Sequence, residues 1–168
     1  MLLKSTSPQG FQTEFQAKIK NGALDFEFRV IGPINELEIP KFSAESSFKN
    51  RLWTGTCFEI FLKRADRDSY QEWNFSPSGD WAFYHFVKYR TPSQNVVNLP
   101  TLGSADLQAS AVSLMYKNQI PLQEADSFHP CVILKKKDGS LLFWASEIQN
   151  SKPDFHLSSL YRKLDELI

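Results

Sequence analysis

The sequence predicts an all-β fold, an antiparallel β-sandwich followed by a short C-terminal helix. Three observations carry this expectation. Apolar and polar residues alternate with a period of two through most of the chain. Two Xaa-Gly pairs, Asn21-Gly22 and Asp138-Gly139, sit between alternating runs where hairpin turns belong. Aromatic residues make up 14% of the chain, with 14 Phe, 5 Tyr and 4 Trp, and flat rings suit pleated, half-buried strand surfaces.

The first hairpin pairs two runs. Phe11, Phe15, Ala17 and Ile19 alternate with Gln12, Glu14, Gln16 and Lys18; after the turn, Leu24, Phe26, Phe28 and Val30 alternate with Asp25, Glu27 and Arg29. Gly32-Pro33 ends the pair. Residues 34–55, broken by Pro40 and several serines, read as loop. Three strands are expected at 56–63, 70–76 and 81–89, the last two joined by the turn Ser76-Pro77-Ser78-Gly79-Asp80. Residues 91–104 read as a connection with a short strand around Val96-Val97, and 105–116 as one loosely alternating strand. The second hairpin joins Cys131–Leu134 to Leu141–Ala145. The helix is expected at the end, where Ser158 or Ser159 would cap a segment with Leu160, Leu164, Leu167 and Ile168 on one face. Strands with apolar faces on both sides of the turns supply the two inner faces of a sandwich.

The 168 residues fit one domain spanning 1–168. Lys plus Arg equals Asp plus Glu, 19 each, so no general field attracts nucleic acid or an anionic membrane. Lys135-Lys136-Lys137 reads as a solvated strand end beside a turn. Cys57 and Cys131 belong to no Cys-x-x-Cys pair, which argues against a zinc site or a disulfide framework. No stretch is apolar enough for a secretory signal or a membrane span, so a cytoplasmic protein with reduced thiols is expected.

The segment 51–90 is the most informative. Phe58, Ile60 and Leu62 form an apolar strand face, while Cys57, Glu59 and Phe61 form the other. Glu59 therefore lies among apolar neighbours, an expensive place for a carboxylate without a partner. In the next strand, Gln71, Trp73 and Phe75 share one face; Tyr70, Glu72, Asn74 and Ser76 share the other, spaced about 6.6 Å apart. Either this row faces plain water, or it lines a hollow with Glu59, flanked by Trp53, Trp81, Tyr84 and Arg90. A small sugar or polyol would suit the second case: its hydroxyls pair with carboxylates, amides and guanidinium groups while its C–H faces lie on indole.

Three blocks, LWTGTCFEIFL, YQEWNFSPSGDWAFYHFVKYR and the late SKPDFH, resemble the bacterial DOMON-like proteins, relatives of the family 9 carbohydrate-binding modules. The resemblance runs from about Leu52 to His156, and NFSPSGDWA is its most specific stretch. It implies a jelly-roll-like β-sandwich of about ten strands with a concave ligand face. The family's better-studied members bind sugars, and some DOMON relatives bind haem. In the sugar-binding modules an indole lies six residues before a ligand-binding carboxylate, the spacing of Trp53 and Glu59. Those modules clamp sugar between two indoles; Trp81 and Trp144 are the candidates for the second. The resemblance further implies Asn74 and Arg90 in the polar lining, with Asp154 and His156 reaching the same face or pairing with Arg90.

Other chemistries find less in the residues. Haem would need axial ligands such as Met115 with His129, or His85 with His156, and no spacing selects them. Calcium would fall to Asp66-Arg67-Asp68, which Arg67 dilutes. No cofactor or metal is therefore expected. Glu59 and Glu72 would serve a glycosidase as paired carboxylates, and exposed aromatics would serve a protein-interaction surface. The expectation is a non-catalytic module binding a small sugar or polyol.

Overall fold

The computed structural model describes residues 1–94, 102, 105–148 and 153–167. Eleven strands occur among them: β1 (Gln12–Lys20), β2 (Ala23–Ile31), β3 (Cys57–Lys63), β4 (Tyr70–Phe75), β5 (Trp81–Lys88), β6 (Thr91–Pro92), β7 (Asp106–Ala109), β8 (Ser113–Pro121), β9 (Ser127–Lys135), β10 (Leu141–Ala145) and β11 (Arg162–Lys163). They build two antiparallel sheets, one in the order β1-β2-β8-β7, the other β10-β9-β3-β4-β5-β6 with β11 beside β9.

The β1–β2 hairpin has the expected register, with Lys20 opposite Ala23 and Gln12 opposite Ile31. Its turn residues have φ of 51° at Asn21 and 75° at Gly22, the double left-handed conformation of a type I′ turn. Alternation then sends Phe15, Phe26 and Phe28 inward against Phe58, Phe75 and Phe128 of the larger sheet. Rings interdigitate across the gap: Phe28 lies 5.2 Å from Phe58, and Phe58 lies 5.2 Å from Tyr116. This is the sandwich core. A second apolar cluster, including Phe61, Tyr70, Phe86, Cys131 and Phe155, lies on the outer face of the larger sheet. β3 is consequently covered on both sides, and its residues Cys57 to Leu62 are all buried.

Three expectations change. Residues 105–116 are not one strand: β7 and β8 form a hairpin whose turn at 110–112 is closed by a hydrogen bond from the Ser110 N–H to the Ser113 carbonyl. β9 starts at Ser127, ahead of the expected 131, and runs through Pro130. Pro130 has no amide hydrogen to donate, and it falls between the stretch of β9 paired with β11 and that paired with β10. The C-terminal segment forms no α-helix. Ser158–Leu160 and Leu164–Glu166 are separate 3-10 turns, and Arg162-Lys163 between them pair with Phe128 and Ser127. Leu160 and Leu164 are buried by these two turns, which satisfies the same leucine spacing without a continuous helix. The strand expected at Val96-Val97 lies outside the described residues. Among the described residues, no helix is long and apolar enough to cross a membrane.

Candidate functional site

Register brings the polar row and Glu59 together. Glu59 stands opposite Asn74 across β3 and β4, and Glu72 stands opposite Phe61 on one side and Tyr84 of β5 on the other. All point to the outer face of the larger sheet. Above this floor lies a cavity of about 510 Å³, lined by Glu59, Phe61, Glu72, Tyr84, Phe86, Ile133 and Phe143. Its walls come from distant segments: Trp53 from a 3-10 turn, Arg90 and Pro92 from around β6, and Pro153, Phe155 and His156 from the late loop.

Two tyrosine hydroxyls hold these walls. Tyr84 accepts the Arg51 N–H at 3.2 Å and donates to Asn50 Oδ1 at 3.2 Å. Arg51 has φ of 64°, a left-handed turn that a residue with a Cβ adopts only when its surroundings impose it. The turn delivers Trp53, whose ring lies 5.5 Å from that of Tyr84. Tyr70 does the same on the other rim, accepting the Arg90 N–H at 3.0 Å. Its oxygen also lies 2.7 Å from His156 Nδ1, in a hydrogen bond whose donor is set by the imidazole tautomer. The other ring nitrogen, Nε2, lies 3.8 Å from Glu72 Oε2, too far for a hydrogen bond.

The two carboxyls are unusual for their burial, Glu59 being 3% and Glu72 5% exposed. Burial raises both above the ordinary carboxylate range. The charge of Glu72 pushes Glu59 further up, which the Cys57 thiol only partly offsets. Glu72 is raised to about 7, moderated by the hydrogen bond from Asn74 Nδ2 at 2.8 Å and by Arg90. Burial, helped by Arg90, lowers His156 to about 4. Asp154 is pushed up by burial, but hydrogen bonds from Tyr89, Arg90 and the His156 N–H outweigh this and leave it low. At neutral pH the cavity thus holds two reluctant carboxyls, a neutral imidazole and an Arg90–Asp154 pair at 2.8 Å.

Of the residues singled out in the sequence, the structure gathers Trp53, Glu59, Glu72, Tyr84, Arg90 and His156 around this cavity. Asn74 is fully buried beneath it and meets Glu72. Asp154 holds Arg90 and Tyr89 from outside. Trp81 is elsewhere: it points between the sheets, 6.4 Å from Trp73 and 5.6 Å from Phe48. Trp144 is 1% exposed in the inter-sheet core, edge-on to Phe11. Neither indole reaches Trp53, so the two-indole clamp is not formed; the ring that Trp53 meets is that of Tyr84. Phe61, Phe86, Phe143 and Phe155 were not picked out in the sequence. Strand parity with Glu59 and Tyr84 marks Phe61 and Phe86 as cavity-facing; nothing local marks Phe143 or Phe155.

Beyond Asn74, the NFSPSGDWA stretch forms the β4–β5 turn and its anchors. Buried Asp80 accepts from Ser47 Oγ at 2.8 Å, Lys49 Nζ at 2.7 Å and Ser78 Oγ at 2.7 Å, tying the 43–49 loop to the β4–β5 turn. The axial pairs considered for haem are split between faces. Met115 is on the outside of the smaller sheet, beside Arg29, whereas His129 faces outward from the larger one. His85 and His156 lie on opposite sides of β5 by its alternation. Asp66 is paired with Arg64 at 2.7 Å, and no group of three or more metal-binding side chains converges among the described residues. A second hollow of about 600 Å³ lies against the smaller sheet. Its lining mixes both signs of charge, with Lys117 paired to Glu27 at 3.1 Å.

No protein-family model matches the chain, and no curated protein matches it. Its structure is similar to the crystal structure of a Bacteroides uniformis protein provisionally named as carbohydrate-binding. The TM-score is 0.65 at 16% identity, over 97% of this chain and 84% of the other. At that identity the likeness shows the shared fold, a two-sheet β-sandwich.

Proposed function

We propose that the chain is a non-catalytic module that binds a small carbohydrate or polyol in the cavity over the larger sheet. The observation that carries this reading is the convergence of Glu59 and Glu72 on a cavity otherwise walled by aromatic rings. Buried carboxyls are costly without partners, and a ligand rich in hydroxyls supplies those partners while its C–H faces cover the rings. The volume falls in the range of about 300–1,000 Å³ usual for small-ligand sites. The fold shared with the Bacteroides uniformis protein supports the reading, as does the resemblance of the three sequence blocks to DOMON-like and family 9 modules. Cys57 and Cys131, both free, suit a reducing compartment such as the cytoplasm.

Calorimetry with a panel of mono- and disaccharides tests it. Trp53 is 37% exposed on a surface turn, so Trp53→Ala should abolish sugar binding and lower stability by no more than about 1 kcal/mol. No heat from any sugar at millimolar concentration refutes the proposal. Turnover of a chromogenic glycoside, lost in Glu59→Gln, would overturn its non-catalytic part.

A further inference from the structure

Resting on the reading of this cavity as a sugar site, we infer that its ligand carries a protonated amine, seated between Glu59 and Glu72 against the aromatic walls. The charge balance of the site points there. The groups around the two carboxyls are Cys57 from β3, Tyr70 and Asn74 from β4, Tyr84 from β5, and His129 and Cys131 from β9; Arg90, Asp154 and His156 come from the loops. The cation among them, Arg90, is already held by Asp154 at 2.8 Å. His156 spends Nδ1 on Tyr70 and is neutral.

The carboxyls are correspondingly short of donors. Glu72 Oε1 accepts from Asn74, but Oε2 has only the His156 ring 3.8 Å away. Glu59, 3% exposed and aimed into the cavity, meets no donor among the described residues beyond the Cys57 thiol. Asn74 Oδ1, buried alongside, also lacks a partner among the described residues. An ammonium provides three donors and the missing charge. The remaining walls suit it too: Trp53, Phe61, Tyr84, Phe86, Phe143 and Phe155 present rings, and a cation beside ring faces is attracted by their quadrupoles.

Protons follow from the same geometry. In the empty cavity, burial and mutual repulsion keep protons on the Glu59–Glu72 pair near neutrality. An arriving ammonium stabilises the ionised pair, and the displaced proton passes to the buffer. A neutral sugar has no such effect.

The test is titration calorimetry of the full chain at about pH 6.5, below the value of about 7 to which burial raises Glu72. Glucosamine, galactosamine and mannosamine are each compared with the parent hexose and the N-acetyl derivative, in two buffers of different ionisation heat. At least one amino-hexose should bind about tenfold or more tighter than its parent, the equivalent of about 1.4 kcal/mol. Its heat should depend on buffer in the sense of proton release. In Glu59→Gln and Glu72→Gln the ratio between amine and parent should collapse toward one. If neutral hexoses bind as tightly as their amines, the amine inference falls while the sugar site stands. If amines bind tighter but release no proton and keep their advantage in both variants, the Glu pair is not the amine's seat. If no compound binds, both readings fall. The buffer comparison needs only the unmodified chain, so it decides even if a variant fails to fold.

Discussion

Replacing Glu72 by Gln should remove part of the chain's pH dependence. The substitution keeps an amide oxygen where Oε1 accepts the Asn74 hydrogen bond at 2.8 Å, and it removes the ionisable oxygen. Glu72 moves from an ordinary 4.5 to about 7 in the fold. A group raised in the folded state gives stability that is fully present below its unfolded value and is lost as pH rises through the folded one. At about 1.4 kcal/mol per pH unit, the interval amounts to roughly 3 kcal/mol. At 5% exposure, solvent screens little of it. Wild type should therefore lose roughly 3 kcal/mol relative to Glu72→Gln between about pH 4 and pH 8.5. Loss of the Glu72 charge also relieves Glu59, which acts in the same direction. His156 and His129, held neutral by burial at about 4 and about 3, oppose this trend. Their contribution is present above the ordinary histidine value and lost as pH falls toward the lowered ones. That of His129 is common to both proteins and cancels in the difference, as does that of His156 apart from its contact with Glu72 at 3.8 Å. Urea unfolding followed by tryptophan fluorescence across this pH range measures the effect, with Trp73 and Trp144 as buried reporters. Parallel stability curves for the two proteins would refute the buried, ionisation-resistant carboxyl.

Trp144→Ala should cost about 3–5 kcal/mol as a core truncation, read as a lower urea midpoint; a loss within 1 kcal/mol would mean that Trp144 is not core. Gly79→Ala should destabilise by about 2 kcal/mol or more, because φ is +93° and a Cβ there would meet the Ser43 carbonyl oxygen at 2.6 Å. Thermal unfolding checks this, and an unchanged midpoint would contradict the turn geometry. Asp154→Asn breaks a half-exposed pair with Arg90, so stability should change by less than about 1 kcal/mol. Freed, Arg90 would neutralise the Glu pair, and amino-hexose binding should weaken severalfold in calorimetry.

Much of the fold was legible because strand alternation and turn chemistry are local. The Asn21-Gly22 hairpin, the placement of β3, β4 and β5, and the pairing of apolar Phe58, Ile60 and Leu62 with the core all follow from period and turn residues. The C-terminal helix misled because leucines four apart fit two short 3-10 turns as well as one helix, and pairing of Arg162-Lys163 with β9 decided between them. Trp81 was misplaced against a rule that the sequence already contains. Three residues apart on one strand, Trp81 and Tyr84 must face opposite ways, and only Tyr84 lines the cavity. Trp144 obeys the same parity: Phe143 points to the cavity, so its neighbour points to the core.

What alternation does not encode is what covers a polar strand face. The two sheets of this chain make the comparison directly. Gln16, Lys18, Asp25, Glu27, Lys117 and Gln119 form a polar row on the smaller sheet as regular as that of β3 and β4. That row mixes signs and closes on itself, with Glu27 meeting both Arg29 and Lys117. On the larger sheet Glu59 and Glu72 have one sign and stand among aromatic rings. Segments around Trp53, Arg90 and His156, far apart in sequence and without periodicity, roof them over. A solvated carboxylate row needs no roof, and in a structural one a lysine or arginine would meet the carboxylates directly, whereas Arg90 is held by Asp154. A same-sign pair buried under a roof of rings, with Arg90 so engaged, is the observation on which the proposed ligand site rests.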